Sequence, residues 1–271
     1  MRPFALVVLL ALCVASNAAR AVDDDALYRG HALVNKYDEA LARGYGENLA
    51  EVLVKVSGDP RLLADPRLDA LKADAKAVST GVRFHDLWES IPIHDEQGTR
   101  DRPYDMWVSF NKGRIAEILK TLGRTVWTGP RPTVVPFIGL KDLRGRTFVL
   151  ASDGVRGIDQ REALAVAATA YGLDYHLPTT AILTGEALTY PRLASEHVTP
   201  SVDGEAGNVA LMGVLQASEN PPGWRVSWRL VWQGATIRWS LVTPSFDAAF
   251  RAGFAGAEQV FAGNGIPASA P

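Results

Sequence analysis

The chain has 271 residues, with 28 basic and 30 acidic side chains for a net charge of −2, 47% hydrophobic residues and one cysteine. This balance is not that of a polyanion-binding protein, and nucleic acid is excluded as an expected partner. The length suffices for one large or two ordinary domains, and a lone cysteine excludes an intrachain disulfide and any cysteine-rich metal site.

Residues 1–21 have the pattern of a secretory signal peptide. Arg2 is the positive n-region, residues 4–14 form the apolar h-region, and Ala19-Arg20-Ala21 is an A-x-A cleavage site ahead of Val22-Asp23-Asp24-Asp25. A membrane anchor needs roughly 18 or more apolar residues, and Ser16, Asn17 and Arg20 interrupt this run. A lipoprotein needs a small residue before Cys13, where Leu12 stands. A buried first helix leaves the arginine, the small-residue site and the acidic run unexplained together. The expectation is cleavage after Ala21 and an exported, periplasmic product. Cys13 leaves with the segment, so the mature chain is expected to be cysteine-free, with no thiol nucleophile.

Residues 22–128 read as an α+β domain in the order β-α-α-β-β-α. A strand is expected over 26–34, then a long amphipathic helix whose Leu41, Tyr45, Leu49, Val52, Leu53 and Val56 share one face. Glu51 and Lys55 form an i,i+4 pair on its other side. Gly44 and Gly46 each weaken it by roughly 1 kcal/mol relative to alanine, which points to close backbone packing. Asp65 and Pro66 open a second helix. Strands are expected over 81–93 and 104–110, the latter alternating Tyr104, Met106, Val108 and Phe110 with Asp105, Trp107 and Ser109. Asn111 caps the next helix and Gly123 closes it.

Two prolines and a glycine in Trp127-Thr128-Gly129-Pro130-Arg131-Pro132 mark the domain boundary. The second domain, 132–262, begins with strands over 133–140 and 146–151. A capping box at Asp159-Gln160-Arg161-Glu162 opens a helix that ends at Tyr171-Gly172. A loosely patterned stretch over 178–208 carries a short helix near 180–188. A three-stranded antiparallel meander follows at 209–216, 224–233 and 235–242. In its middle strand Trp224, Val226, Trp228, Leu230 and Trp232 point one way, and Arg225, Ser227 and Arg229 the other. The final helix lines up Phe246, Phe250, Phe254, Ala257 and Phe261, a natural cover for the tryptophan face. Residues 263–271 read as a disordered tail of small residues.

The run from Tyr37 to Gly58, ending Leu53-Val54-Lys55-Val56-Ser57-Gly58, is followed in order by an acidic-aromatic strand pair, a short helix and the Trp127 to Pro132 junction. In these motifs the chain resembles an exported proteobacterial family known only as a domain of unknown function, number twenty-sixty-six. The resemblance implies an envelope-associated protein and brings no activity, ligand or catalytic residue with it. Pro136-Phe137 departs from the family pattern, where a tryptophan-bearing strand is common. By element order alone, the second half also resembles the small α/β modules of envelope assembly proteins in the Tol and curli secretion systems.

Candidate chemistry sits in two places. His85, Asp86, His94 and Asp105 belong to a polar cluster on two strands and their loop, which can supply an acid-base or metal site; a solvated hairpin edge is the plainer reading. Arg225, Arg229 and Arg238 project from the meander and, on an open face, can meet a carboxylate or phosphate. An ordinary solvated face is the plainer reading here too. The five histidines form no H-E-x-x-H, no G-x-S-x-G is present, and Gly44-Tyr45-Gly46 lies inside a helix and is no phosphate loop. No cofactor or metal is expected. The reading is a soluble, non-enzymatic periplasmic adaptor or binding module for another envelope component, with an envelope protein as its expected partner. The alternative is a hydrolase or metal-dependent enzyme using the polar cluster. A third reading, a sheet-based binder of cell-wall polymer or lipid, requires the tryptophan or arginine face to lie in a groove.

Overall fold

A computed structural model describes residues 24–92, 94–95, 98–99, 101–195, 197–202 and 207–270. The expected signal peptide and its cleavage site lie outside the described residues.

A helical turn, α1 (Asp24–Leu27), leads into strand β1 (Arg29–Val34), so the strand starts later than residue 26. The long helix α2 (Asp38–Ser57) lies against the sheet so closely that a Cβ on Gly44 would stand 2.6 Å from Val34 Cγ1 and 2.8 Å from Met106 Sδ. Close packing is thus the reason for a glycine inside this helix. A 3-10 turn (Pro60–Ala64) precedes α3 (Leu68–Ala73). This helix opens later than expected because Asp65 closes a turn instead of capping it. Its carboxylate accepts the Arg67 N–H at 3.0 Å and holds the Arg67 guanidinium at 2.6 and 2.9 Å.

After a second 3-10 turn (Ala75–Val78) come β2 (Ser79–Asp86), the two-residue strands β3 (His94–Asp95) and β4 (Gly98–Thr99), β5 (Tyr104–Phe110) and α4 (Lys112–Thr121). β2 stops short of residue 93 because Asp86 accepts the Trp88 N–H at 2.8 Å and pairs with Arg102 at 2.8 Å, turning the chain. Asn111 caps α4 through the Arg114 N–H, and Gly123 follows in the left-handed region at φ 72°.

β5 is the centre of an antiparallel sheet in the order β1-β5-β2. Met106, Val108 and Phe110 turn inward onto Leu49, Leu53 and Val56 of α2. Between these layers the fully buried Asn48 donates to Gly44 O at 2.8 Å and accepts the Val108 N–H at 3.1 Å.

In the second half, β6 (Thr133–Lys141) pairs with β7 (Thr147–Val149). Three helices, α5 (Ile158–Ala170), α6 (Thr180–Gly185) and α7 (Tyr190–Ala194), then carry the chain to β8 (Asn208–Glu219), parallel to β6. β9 (Pro222–Trp232) and β10 (Ala235–Thr243) complete the meander, and α8 (Phe246–Phe261) packs upon it. The sheet order is β10-β9-β8-β6-β7. α5 starts before the expected capping box: Gly157 is its N-cap residue and Asp159 falls in its first turn, where a carboxylate favours the helix dipole without capping.

The tryptophan face is buried as expected. Trp224 meets Phe246 edge-on at 6.2 Å, Trp232 meets Phe261 at 4.8 Å, and Trp228 is 1% exposed. On the opposite face, Val135, Phe137, Ala210 and Met212 pack with Leu183, Leu188 and Leu193 of the α6–α7 segment. The fold is α+β, and each half builds its own core around its own sheet. Among the described residues no helix is long and apolar enough to cross a membrane.

The tail is held, contrary to the expectation of disorder over 263–271; residue 271 lies outside the described residues. Gln259 Nε2 donates to Ile266 O at 3.2 Å, and residues 269–270 run beside β10, with Ala270 N–H on Ser240 O at 2.8 Å. Gly256 of α8 leaves room for the tail to lie against it: a Cβ there would meet Pro267 at 3.0 Å.

The two sequence motifs that carried the family resemblance touch each other. A helix leaves its last four carbonyls without intrahelical partners, and in α2 each is accounted for. Val54 O takes the Gly58 N–H at 2.7 Å, Lys55 O takes Arg131 Nη2 at 2.6 Å, Val56 O takes the Trp127 N–H at 2.8 Å, and Ser57 O takes Asn264 Nδ2 at 3.1 Å. Gly58 has φ 66°, and a Cβ there would stand 2.3 Å from Ala262 Cβ, so only glycine fits. The V-x-V-S-G ending and the W-x-x-x-R-P junction are therefore two sides of one joint between the halves.

Candidate functional site in the cleft between the halves

Strand alternation that sends Met106 and Val108 into the core sends Asp105 and Trp107 to the other face of the first sheet. Register then sets their neighbours. His31 of β1 and Arg83 of β2 both stand opposite Trp107, and His85 stands opposite Asp105. The Arg83 guanidinium lies 4.6 Å from the Trp107 ring and the His31 ring 5.3 Å from it, so the indole is flanked by a cation and an imidazole. Asp105 ties the next row to this one. Its Oδ1 is 2.7 Å from His31 Nε2 and its Oδ2 is 3.5 Å from His85 Nδ1.

This face is the floor of a cleft of about 550 Å³ between the two halves. Ala165, Val166, Thr169 and Ala170 of α5 form an apolar wall of small side chains, with Leu173 beyond and Ala26 and Leu27 of α1 at one end. Arg251 of α8 lines the cleft as well. The volume and mixed lining are those of a small-molecule site.

Below the cleft the joint is charged and dry. Lys55 is 2% exposed, paired with Glu51 at 2.8 Å and donating to Arg29 O at 2.6 Å. The i,i+4 pair thus forms as expected but at the joint, not on a solvent face. Arg131 stacks on Trp127 at 3.8 Å while holding Lys55 O, and burial lowers its proton affinity. Glu258 of α8 is fully buried, and neither carboxyl oxygen has a hydrogen-bond partner among the described residues. Burial pushes its pKa well above the ordinary carboxylate range, against the opposing fields of Arg131 and Lys55. Burial, with the field of Glu258 behind it, likewise pushes the Tyr171 hydroxyl up to about 12.

The candidates named from sequence are divided by this arrangement. Asp105 lines the cleft, and His85 stands beside it at the rim, with its side chain 56% exposed. Asp86 belongs to the opposite face because adjacent strand residues alternate, and it anchors the turn through Trp88 and Arg102. His94 takes its place in β3, paired with Thr99, and its side chain lies outside the described residues. Among the described residues no group of three or more His, Cys, Asp or Glu side chains is placed to hold a metal ion.

The arginine face is not one open surface. Arg229 is 7% exposed, covered by the segment around Val198, whose carbonyl it binds, and it also contacts Met212 Sδ at 3.0 Å. Arg238 stands opposite Arg229 in the β9–β10 register, whereas Arg225 turns to the Asn220 carbonyl at 3.0 Å and lines a different hollow. Sequence reasoning passed over His31, Trp107, Arg83 and Glu258. Their grouping depends on cross-strand register and on packing between the halves, and no short motif encodes either.

No curated protein and no solved structure matches this chain. Residues 21–128, less than half of the chain, match the model of a domain of unknown function, DUF8605, a family numbered differently from the one its motifs resembled.

Proposed function

We propose that this chain is an exported periplasmic binding module, a non-enzymatic adaptor for another component of the cell envelope, and that its binding surface is the cleft between the halves. The envelope-associated proteobacterial family that the motifs resemble supports the same reading. The observation that carries it is the row Arg83–Trp107–His31, three large polar and aromatic side chains aligned in register across the floor of a cleft that no other element fills among the described residues. Aromatic and arginine side chains at the centre of a concave surface are the usual carriers of binding energy.

The test is photo-crosslinking in living cells from a reactive residue placed at Val166 in the cleft wall, with Val155, 96% exposed and outside the cleft, as control. A specific adduct from position 166 and none from 155 is expected. The same adducts from both, or none from 166, refute the reading. Export is tested by the N-terminus of the periplasmic product: it should begin at Val22, and a chain retaining residues 1–21 in the cytoplasm refutes it.

One observation favours a second reading. The 2.7 Å His31–Asp105 pair has the spacing of a general base and the carboxylate that orients it, which supports an acid-base site. Among the described residues no serine or threonine hydroxyl is hydrogen-bonded to His31. A His31→Ala variant that loses a hydrolytic activity present in the wild type would establish this reading over the adaptor.

A further inference from the structure

Resting on the cleft as the binding surface, we infer that its ligand is an organic anion with an apolar body: a carboxylate or phosphate carried on a hydrocarbon or ring. The charges in the cleft separate into those already satisfied and those left over. Glu51 is held by Lys55, and Asp105 by His31 and His85. Arg29, Arg83 and Arg251 line the same cleft; Arg29 also acts on the nearby Asp25, and the remaining carboxylate in the cleft is Asp174. Four cations, Arg29, Lys55, Arg83 and Arg251, against three carboxylates, Glu51, Asp105 and Asp174, leave the lining net positive, and guanidinium forks suit bidentate binding of carboxylate or phosphate.

The α5 residues that line the cleft carry no charge. Ala165, Val166 and Ala170 of α5, with Leu173, present small or aliphatic side chains across from Arg29 and Arg83 of the first sheet. Val166 is 49% exposed although it faces the cleft, so apolar area there is uncovered and gains by burial under a ligand at roughly 25 cal/mol per Å². A bare inorganic anion would leave that wall wet, and a neutral or cationic amphiphile would leave the arginines unmatched. An amphiphilic anion satisfies both sides at once.

The experiment is titration calorimetry of the intact protein with octyl phosphate, octanoate, octylammonium and octyl glucoside, each below its micelle concentration, and with inorganic phosphate. One saturable site for the two anionic amphiphiles is expected, with affinity at least about ten-fold weaker for the cationic and neutral chains and for inorganic phosphate. The double variant Arg83→Glu/Arg251→Glu should weaken the anionic probes by about ten-fold or more while keeping a cooperative melting transition, because both side chains are exposed. Arg144→Ala, at a separate hollow beside Pro244, should leave binding unchanged.

Equal binding of octylammonium, or full binding by the charge-reversed variant, overturns the anionic ligand while leaving the cleft reading intact. No binding by any probe, together with a specific adduct from position 166, does the same. Vesicle flotation identifies the source of the anion. Co-flotation with phosphatidylglycerol but not phosphatidylcholine vesicles, lost in the double variant, assigns a lipid headgroup, and calorimetric binding without flotation assigns a free amphiphile.

Discussion

Glu258 offers the sharpest test of the joint between the halves. With both oxygens buried and unpartnered, the carboxyl holds its proton in the folded chain at pH values where the unfolded chain has lost it. The sign follows from linkage. A raised folded pKa contributes stability that is complete below the unfolded pKa of about 4.3 and is lost as pH rises toward the folded value. Within that window the folded state binds one proton more, so unfolding free energy falls by about 1.4 kcal/mol per pH unit.

Glu258→Gln keeps the shape of the protonated acid and cannot ionise. Near pH 4 the two proteins should agree within about 1 kcal/mol, since both place a neutral polar group in the same cavity. From there upward the variant should gain on the wild type by about 1.4 kcal/mol per pH unit, or roughly 3–5 °C in melting temperature for a chain of this size. The difference becomes constant above the folded pKa. Urea unfolding at half-unit steps between pH 4 and 8, read as the difference between the two proteins, cancels the other titrations. A difference that stays flat across this range, or a variant less stable throughout, would mean that Glu258 is ionised and paired with Arg131 or Lys55, and the reasoning would be refuted.

Three further outcomes follow from the packing. Gly213→Ala places a Cβ 2.4 Å from Trp228 Cζ3 in the middle of the second core, so a loss of about 1–3 kcal/mol is expected by chemical denaturation, and an unchanged midpoint would contradict the fit of Trp228. Asn48→Ala removes the acceptor of the buried Val108 N–H and should cost about 1–3 kcal/mol, with faster hydrogen exchange at Val108 as its local signature; slow exchange there would deny the bond its role. Asp59 is buried, which would raise its pKa, but the Arg61 hydrogen bonds and the field of Arg124 overcome this and lower it. Its contribution is present above the ordinary carboxylate pKa and lost as pH falls through the lowered one, so Asp59→Asn should be less stable than wild type at pH 7 and converge on it in acid. A gap that persists undiminished at low pH would refute this.

The parts of the fold legible in the sequence were those in which one residue's pattern repeats along its own element. The tryptophans of β9 and the phenylalanines of α8 announce two faces that need each other, and Tyr104 to Phe110 announces its buried side by alternation. The site was much less legible. His31 and Arg83 lie far apart in sequence and meet at Trp107 only because of strand register, which no single strand encodes. Arg229 sits at a position whose period-two pattern says solvent, but the weakly patterned segment around Val198 folds over it. Asp159 and Asp65 both carry helix-start signatures that shifted by a residue or two, because competing turns at Gly157 and Arg67 satisfied the backbone first.

The closure of α2 by Asn264 also bears on when the protein can finish folding. Nδ2 of that residue reaches the Ser57 and Gly58 carbonyls across sequence separations of 207 and 206 residues. A chain emerging from its N-terminus can form the first sheet and its helix early, but the Ser57 and Gly58 carbonyls wait for residue 264. Contacts of such long range are made late and slowly. On the proposed export route, the native joint can close only after residue 264 has followed the first half of the chain across the membrane.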